Sequence, residues 1–279
     1  MNAGMPQHGA ELPFNRRSYA QIVESTLLAM SHVTVEPLAT ASYGERRYVL
    51  YSARCGQRTD KLPAILVSGG VHGDEPAGVY AALRFLNDVA PRYVDHFTFL
   101  TLPCLNPSGF EQGALETMSG ANLNRLFGVR AAQPEVRAVE DWLQTQATGF
   151  LATFDLHETR PDYRGEGFVE ADNPRGCYLY ETTAATERRI GRKLIDALPG
   201  DVEICREPRI YLDENSDGVV FYPEACHNPV YKQATTFDGY LNGRYTSHSF
   251  TTETPTGWPL DKRVDVHLRW LDHALQLLG

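Results

Sequence analysis

The stretch 64-AILVSGGVHGDEPAG-78 decides the fold of this chain. Its first part, residues 64–67, is apolar and predicts a buried strand that ends at the following glycine pair. Pro76 suits the first turn of a helix, so the stretch predicts a strand-to-helix turn. His72 and Glu75 lie in that turn, at the C-terminal edge of the predicted sheet, where open α/β sheets bind their ligands.

Length and charge limit the classes of protein that this chain can represent. It has 279 residues, enough to bury a sizeable core without disulfides, and 42% of them are hydrophobic. The formal net charge is −9 and no dense Lys/Arg block occurs, which argues against nucleic-acid binding. No stretch approaches the ~18 apolar residues of a membrane span, so we expect no membrane association. The composition does not indicate an oligomeric state.

Cysteine usage predicts a reducing compartment. The number of cysteines is odd and no C-x-x-C pair occurs, which does not suit a disulfide framework. The N-terminal sequence MNAGMPQHGAELPFNRRSYAQ has no apolar core of a signal peptide. We therefore expect a cytoplasmic protein. The five cysteines are Cys55, Cys104, Cys177, Cys205 and Cys226.

Strand-like and helix-like segments alternate along the chain, which predicts an α/β layered fold. We expect residues 1–279 to form a single domain, with residues 1–30 as a candidate peripheral extension. In the last helix His267 and His273 lie off the apolar stripe, so we expect both to be solvated. The predicted strands are 47–55, 64–71, 97–105, 150–156, 176–180, 202–205 and 245–252, and the predicted helices are 75–89, 134–148, 183–198 and a last one from about 260.

A second histidine motif, FDLHET, also follows a buried strand. If the two strands are neighbours, His157 can meet His72 and Glu75. Two close ligands and one distant ligand are common in catalytic zinc sites, where a fourth position stays open for water. Asp155 could accept the second N–H of the imidazole and fix its tautomer. The alternative for His157 is an ordinary hydrogen-bonded histidine at a strand end.

Two further motifs carry polar groups suited to substrate binding or proton transfer. Asn124 and Arg125 lie in the irregular segment 106–130 and could clamp a carboxylate, since arginine offers a planar fork. The alternative is a capped loop with a surface arginine. Glu253 ends an apolar strand, where burial would raise its pKa toward that of a general base. The alternative is an exposed glutamate at a strand end.

Taken in this order, the motifs resemble the zinc carboxypeptidases of the carboxypeptidase A type. Their local sequences are similar to those of the bacterial branch that includes succinylglutamate desuccinylase and aspartoacylase. These sequences are GGVHGDEPAG, NLNRLF, DLHET and TETP. The resemblance covers roughly residues 64–256. It implies a mixed, largely parallel β-sheet flanked by helices. It also implies one zinc ion held by His72, Glu75 and His157.

The resemblance implies roles for residues outside the metal site as well. Asn124 and Arg125 would bind the terminal carboxylate of the substrate, and Glu253 would be the general base and then the acid. Family members also use a tyrosine from a late loop near the substrate. Tyr231 is the candidate by spacing, with Tyr240 and Tyr245 as alternatives.

The chain departs from the family pattern in two places. The family usually has an arginine that polarises the scissile carbonyl about eight residues before the arginine of the Asn-Arg pair, but 113–120 contains none. Arg160 and Arg164 are candidates to replace it. Aspartoacylase-like members carry an extra domain after the catalytic glutamate, whereas 26 residues follow Glu253 here, enough for one helix. That favours a carboxypeptidase-like single domain.

Three functions agree with these residues. The first is a zinc-dependent metallohydrolase that cleaves an amide next to a free carboxylate, like a metallocarboxypeptidase acting on a small peptide. The second is an N-acyl amino acid deacylase, for which the substrate would be an N-acyl amino acid. The third is a metal-binding protein without catalysis, suggested by the missing arginine. A relative that shares only the fold and binds no metal is less compatible with the four motifs together.

Overall fold

The computed structural model describes residues 17–57, 61–129, 132–146, 149–224 and 235–279. The strands are β1 (Val33–Tyr43), β2 (Arg46–Cys55), β3 (Ala64–Gly69), β4 (Thr98–Leu102), β5 (Ala152–Thr159), β6 (Tyr178–Thr182), β7 (Arg209–Ile210), β8 (Asp213–Glu214), β9 (Val219–Tyr222) and β10 (Ser249–Pro255). The α-helices are α1 (Ser25–Ala29), α2 (Pro76–Arg84), α3 (Pro107–Gln112), α4 (Pro134–Gln144), α5 (Gly191–Asp196), α6 (Phe237–Leu241) and α7 (Leu260–Leu278). Short 3₁₀ or π-helical turns lie at Ala20–Glu24, Phe85–Val89, Ala90–Tyr93, Leu123–Arg125, Glu170–Asp172 and Thr186–Arg188.

One eight-stranded sheet organises the described residues, in the order β1-β2-β4-β3-β5-β10-β6-β9. The central strands β4, β3, β5 and β10 run parallel to one another, so their carboxyl ends meet at one edge. Antiparallel pairing adds β2 and β1 on one side and β6 on the other, and β9 runs parallel to β6. The predicted fold class, a mixed and largely parallel sheet flanked by helices, is confirmed.

Both faces of the central sheet are covered, as strand β3 shows. Ile65 and Val67 pack into the apolar cluster that contains α2 and α7 residues, whereas Leu66 packs into the cluster with α4 and α6 residues. All three are fully buried. Since alternate residues of a strand face opposite sides, a continuous apolar run is what a strand covered on both faces requires.

Two glycines bring helix α2 close against the sheet. A Cβ on Gly69 would lie 2.5 Å from the carbonyl oxygen of Gly78, and a Cβ on Gly78 would collide with the carbonyl oxygen of Leu156. Only glycine allows backbones to approach this closely. Because α2 lies directly on β3 and β5, Glu75, which immediately precedes α2, is held over the ends of both strands.

The first described residues belong to the main core. Tyr19, Val23 and Leu27 are buried in the same apolar cluster as α2. Residues 1–16 lie outside the described part, and the single-domain assignment stays a prediction. None of the described helices is both long and apolar enough to cross a membrane. The cysteines of the described part are buried free thiols, and Cys226 lies outside it.

The predicted helix over 183–198 is wrong. The structure has a 3₁₀ turn at Thr186–Arg188 and then the short helix α5. The carboxylate of Glu181 accepts hydrogen bonds from the backbone N–H groups of Ile190 and Gly191, both at 2.8 Å, and this fixes the start of α5. Residues 202–205 contribute a single bridge, between Ile204 and Cys177, rather than the predicted strand.

The expectation of a solvated His267 is also wrong. The side chain is fully buried where α7 packs on β10. Its Nδ1 lies 3.0 Å from the hydroxyl of Thr252 and its Nε2 lies 3.2 Å from that of Thr254. Burial among these groups lowers the pKa of His267 to about 3, so the imidazole is neutral in the folded protein.

We expect His267 to make the folded protein sensitive to acid. Its pKa is about 3 in the folded chain and 6.5 in the unfolded chain, so stability is full above 6.5 and is lost as pH falls toward 3. Between pH 7 and pH 5 the loss from this group is roughly 2 kcal/mol. Urea unfolding of wild type and His267→Gln, both with a chelator present, should show a steeper acid loss in wild type. Equal losses in the two proteins would contradict the assignment.

Candidate active site

Polar side chains converge at the carboxyl edge of the central parallel strands. His72 follows β3, Glu75 precedes α2, and His157 lies near the end of β5. Glu253 on β10 is the direct Cα partner of His157, because the two strands are parallel and in register there. All four line one cavity, so the sheet topology rather than chain proximity assembles the site.

The carboxylate of Glu75 lies between two imidazoles. Its Oε1 is 2.7 Å from Nδ1 of His72, and its Oε2 is 2.8 Å from Nδ1 of His157. One ligand atom from each of the three residues lies within 4.8 Å of the others, a spacing that can hold a metal ion. Burial alone would raise the pKa of Glu75, but the two imidazoles outweigh it and the pKa is lowered.

The groups that face the two ring nitrogens of His157 indicate whether His72, Glu75 and His157 suit a cation. Nε2 of His157 lies 3.0 Å from Oδ2 of Asp155, and Asp155 accepts a hydrogen bond from the hydroxyl of Ser68 at 2.7 Å. A neutral imidazole carries one N–H, so when Nε2–H donates to Asp155 the lone pair of Nδ1 points at the Glu75 carboxylate, which is repulsive. Only a proton or a metal ion between the two atoms removes that repulsion, so the donor set fits a metal.

Proton binding is the other way to satisfy this arrangement. Burial on its own would lower the pKa of His157. The carboxylates of Asp155 and Glu75 outweigh burial and raise the pKa well above its usual value. A metal ion bound at Nδ1 would therefore displace a proton, and metal binding should weaken as pH falls.

The carboxyl group of Glu253 has a pKa close to neutral pH. Burial raises its pKa to about 8, His157 acts in the opposite direction, and Glu75 adds to the rise. Its Oε2 accepts a hydrogen bond from the hydroxyl of Thr159 at 2.9 Å, and that hydroxyl lies 2.8 Å from the hydroxyl of Tyr178. A carboxyl group with a pKa close to neutral can both take and return a proton.

The Asn-Arg pair lies on the same cavity, in the turn Leu123–Arg125. Oδ1 of Asn124 accepts a hydrogen bond from the backbone N–H of Phe237 at 2.7 Å, which leaves the NH₂ group of the amide for a ligand. The guanidinium of Arg125 donates from Nε and Nη2 to the two carboxylate oxygens of Glu166, at 3.0 and 3.3 Å. Both residues thus line the same cavity as the three candidate metal ligands.

The two candidates for the missing arginine differ in position. Arg160 lines the cavity and donates to Oδ2 of Asp74 at 3.1 Å. Arg164 pairs with Glu170 at 2.8 Å, and its side chain is 71% exposed. In the described part of the chain, Arg160 therefore lines the cavity and Arg164 does not.

Among the described residues, the tyrosines of the cavity are not the alternatives Tyr240 and Tyr245. Tyr231 lies outside the described residues. Tyr240 and Tyr245 pack with the apolar cluster behind the site. Tyr178 and Tyr180 line the cavity instead, and their two-residue spacing on β6 was the available signal. The other tyrosines on the cavity wall are Tyr163, Tyr211 and Tyr222.

Sequence comparison identifies relatives of the segment that carries the candidate metal ligands. Residues 61–188 match the family model of the Succinylglutamate desuccinylase/Aspartoacylase catalytic domain. Carboxypeptidase SOL1 of Arabidopsis thaliana is 31% identical over 113 residues, which cover 34% of this chain and 23% of that protein. This chain thus spans about a quarter of the length of the curated relative. The resemblance seen in the sequence motifs is confirmed.

Solved structures with the same fold extend the comparison over most of the chain. A candidate metallopeptidase from Shewanella amazonensis SB2B has a TM-score of 0.74 and 22% identity, covering 94% of this chain and 92% of that one. A metallo-carboxypeptidase from Burkholderia cenocepacia has a TM-score of 0.65 and 18% identity, covering 93% and 68%. Bovine thrombin-activatable fibrinolysis inhibitor has a TM-score of 0.64 and 15% identity, covering 94% and 97%. The fold is therefore carboxypeptidase-like.

Proposed function

We propose that this protein is a zinc-dependent metallohydrolase that cleaves an amide bond next to a free carboxylate. The observation that carries the proposal is one cavity lined by a possible metal-binding cluster, a carboxyl group with a raised pKa and a guanidinium. A metallocarboxypeptidase needs these three chemical functions together. The substrate would be a small peptide or an N-acyl amino acid.

Zinc is the metal that best suits the donor atoms. The cluster offers two imidazole nitrogens and one carboxylate, from His72, His157 and Glu75. Magnesium and calcium prefer oxygen ligands, whereas two nitrogens with one carboxylate are typical of catalytic zinc sites with an open position. We assign one zinc ion to this cluster.

The chemistry that zinc supplies when bound is polarisation of the scissile carbonyl and activation of a water molecule. Glu253 accepts the proton of the attacking water and returns it to the leaving amine. Arg125 and the amide of Asn124 hold the carboxylate of the substrate, so the scissile bond is placed over the cluster. We assign the role of the missing arginine, donation to the carbonyl oxygen, to Arg160, which lines the cavity and donates to Asp74.

The family match is also compatible with one alternative, N-acyl amino acid deacylation. It uses the same residues, because an N-acyl amino acid also presents an amide beside a free carboxylate. Product analysis with N-acetylated dipeptides and N-acyl amino acids separates the two activities. The absence of an arginine in 113–120 motivates the other alternative, metal binding without turnover of either substrate.

We expect chelator-treated protein to bind about one equivalent of Zn²⁺, with proton release and weaker binding at low pH. His157→Ala should lose most of this binding, because it removes a ligand and leaves the Glu75 carboxylate with only one of its two imidazole partners. Calorimetry with Zn²⁺ measures affinity and stoichiometry. His96→Ala, a change at an exposed histidine outside the cavity, is the matched control. Full metal occupancy in His157→Ala would exclude this site.

We expect Glu253→Gln to lower turnover by roughly 10²–10⁴-fold while the metal stays bound. Glutamine keeps the shape of the side chain but cannot take the proton. The measurement is kcat beside metal content, with Glu187→Gln, an exposed glutamate outside the cavity, as control. Undiminished turnover in Glu253→Gln would remove this residue from the mechanism.

We expect Arg125 to recognise the free carboxylate of the substrate. Amidation of that carboxylate should reduce kcat/KM of wild type roughly 10- to 100-fold, as loss of a charge-assisted hydrogen bond does. In Arg125→Ala amidation should have little further effect, and Arg125→Lys should also be impaired because lysine lacks the planar fork. Four measurements, two substrates in two proteins, give the coupling. Additive losses would show that another group reads the carboxylate.

A further inference from the structure

The guanidinium of Arg125 already holds a carboxylate from its own chain. Nε and Nη2 donate to the two oxygens of Glu166 at 3.0 and 3.3 Å, the side-on bidentate arrangement that carboxylates form with arginine. Both side chains line the cavity of the metal cluster. Glu166 therefore pairs with the same guanidinium that the proposed function assigns to the carboxylate of the substrate.

Glu166 reaches Arg125 from the tip of a narrow turn. Two backbone hydrogen bonds join Gly165 and Phe168, so Glu166 and Gly167 form the turn between them. Both turn residues have positive φ, 54° and 91°. Asn-Gly or Asp-Gly is the usual pair at such positions, so a glutamate is an unfavourable choice for the backbone. The Glu166 side chain thus makes a contact, with Arg125, that is not needed to form the turn.

The base of this turn is anchored while the ion pair at its tip is accessible to water. Nδ2 of Asn173 donates to the carbonyl oxygens of Pro161 and Tyr163, both at 3.0 Å. The Arg125 and Glu166 side chains are 25% and 32% exposed. Ion pairs with this exposure contribute little to stability, so an incoming carboxylate can exchange with Glu166.

We propose that Glu166 competes with the substrate for Arg125 and so sets the affinity for free-acid substrates. A planar carboxylate can replace both hydrogen bonds of Glu166, but it must first displace that side chain. A terminal amide or alcohol cannot replace them, so its binding does not depend on Glu166. Competition therefore raises the KM for free-acid substrates and leaves the KM for their amides unchanged. This inference rests on the proposed role of Arg125.

The test compares Glu166→Gln with wild type on N-acetylated dipeptides in free-acid and C-terminally amidated forms. We expect the KM for the free acid to fall about two- to fivefold, the size of effect that exposed ion pairs have, with kcat unchanged. The KM for the amide should not change. Glu166→Gly is a second variant that suits the positive φ, so its result does not depend on a strained backbone.

Glu170→Gln is the matched control, because it removes an exposed ion pair, with Arg164, in the same segment but outside the cavity. It should leave both KM values as in wild type. A free-acid KM that is unchanged or raised in both Glu166 variants would overturn the proposal. A raised KM would show that Glu166 orients Arg125 for the substrate.

Binding without turnover separates this inference from the proposed function. In the Glu253→Gln background, calorimetry with the free-acid peptides should show tighter binding when Glu166 is also changed to glutamine. That result supports the inference even if wild type hydrolyses none of the peptides. Equal free-acid affinity, or no free-acid binding by either protein, overturns it.

Discussion

The position of the Glu75 carboxylate between two imidazoles is the contact on which the rest of the site depends. One oxygen faces His72 and the other faces His157, and the backbone N–H of Glu158 donates to the second oxygen at 3.1 Å. This single carboxylate joins the end of β3, the start of α2 and the end of β5. A buried carboxylate placed against two imidazole nitrogens requires a proton or a metal ion between it and those nitrogens.

Local sequence patterns were sufficient to predict the elements that carry the cluster. The apolar run before Gly69 and the proline after Glu75 predicted β3 and α2, and FDLHET predicted the end of β5. The strands β3 and β5 are buried on both faces, so each appears in the sequence as a mainly apolar run that predicts a strand. The edge strand β1 was not predicted, because most of its residues are partly or fully exposed and show no clear alternation.

Features set by distant parts of the chain could not be read from local patterns. His267 lies off the apolar stripe of α7, yet the threonines of β10 supply its partners and bury it. The pairing of Arg125 with Glu166 joins residues 41 positions apart and depends on a turn with an unusual backbone. Secondary-structure propensity and hydrophobic periodicity do not predict such contacts, because tertiary packing creates them.

The direct pairing of Glu253 with His157 limits how this chain can change in length. Side chains of a strand alternate between faces, so one residue inserted into β10 before Glu253 would turn its carboxyl group to the opposite face of the sheet. The turn that carries Glu166 is different, because it projects from its Asn173 anchor and pairs with no strand of the main sheet. Insertions there would alter how tightly free-acid substrates bind while the reacting groups keep their places.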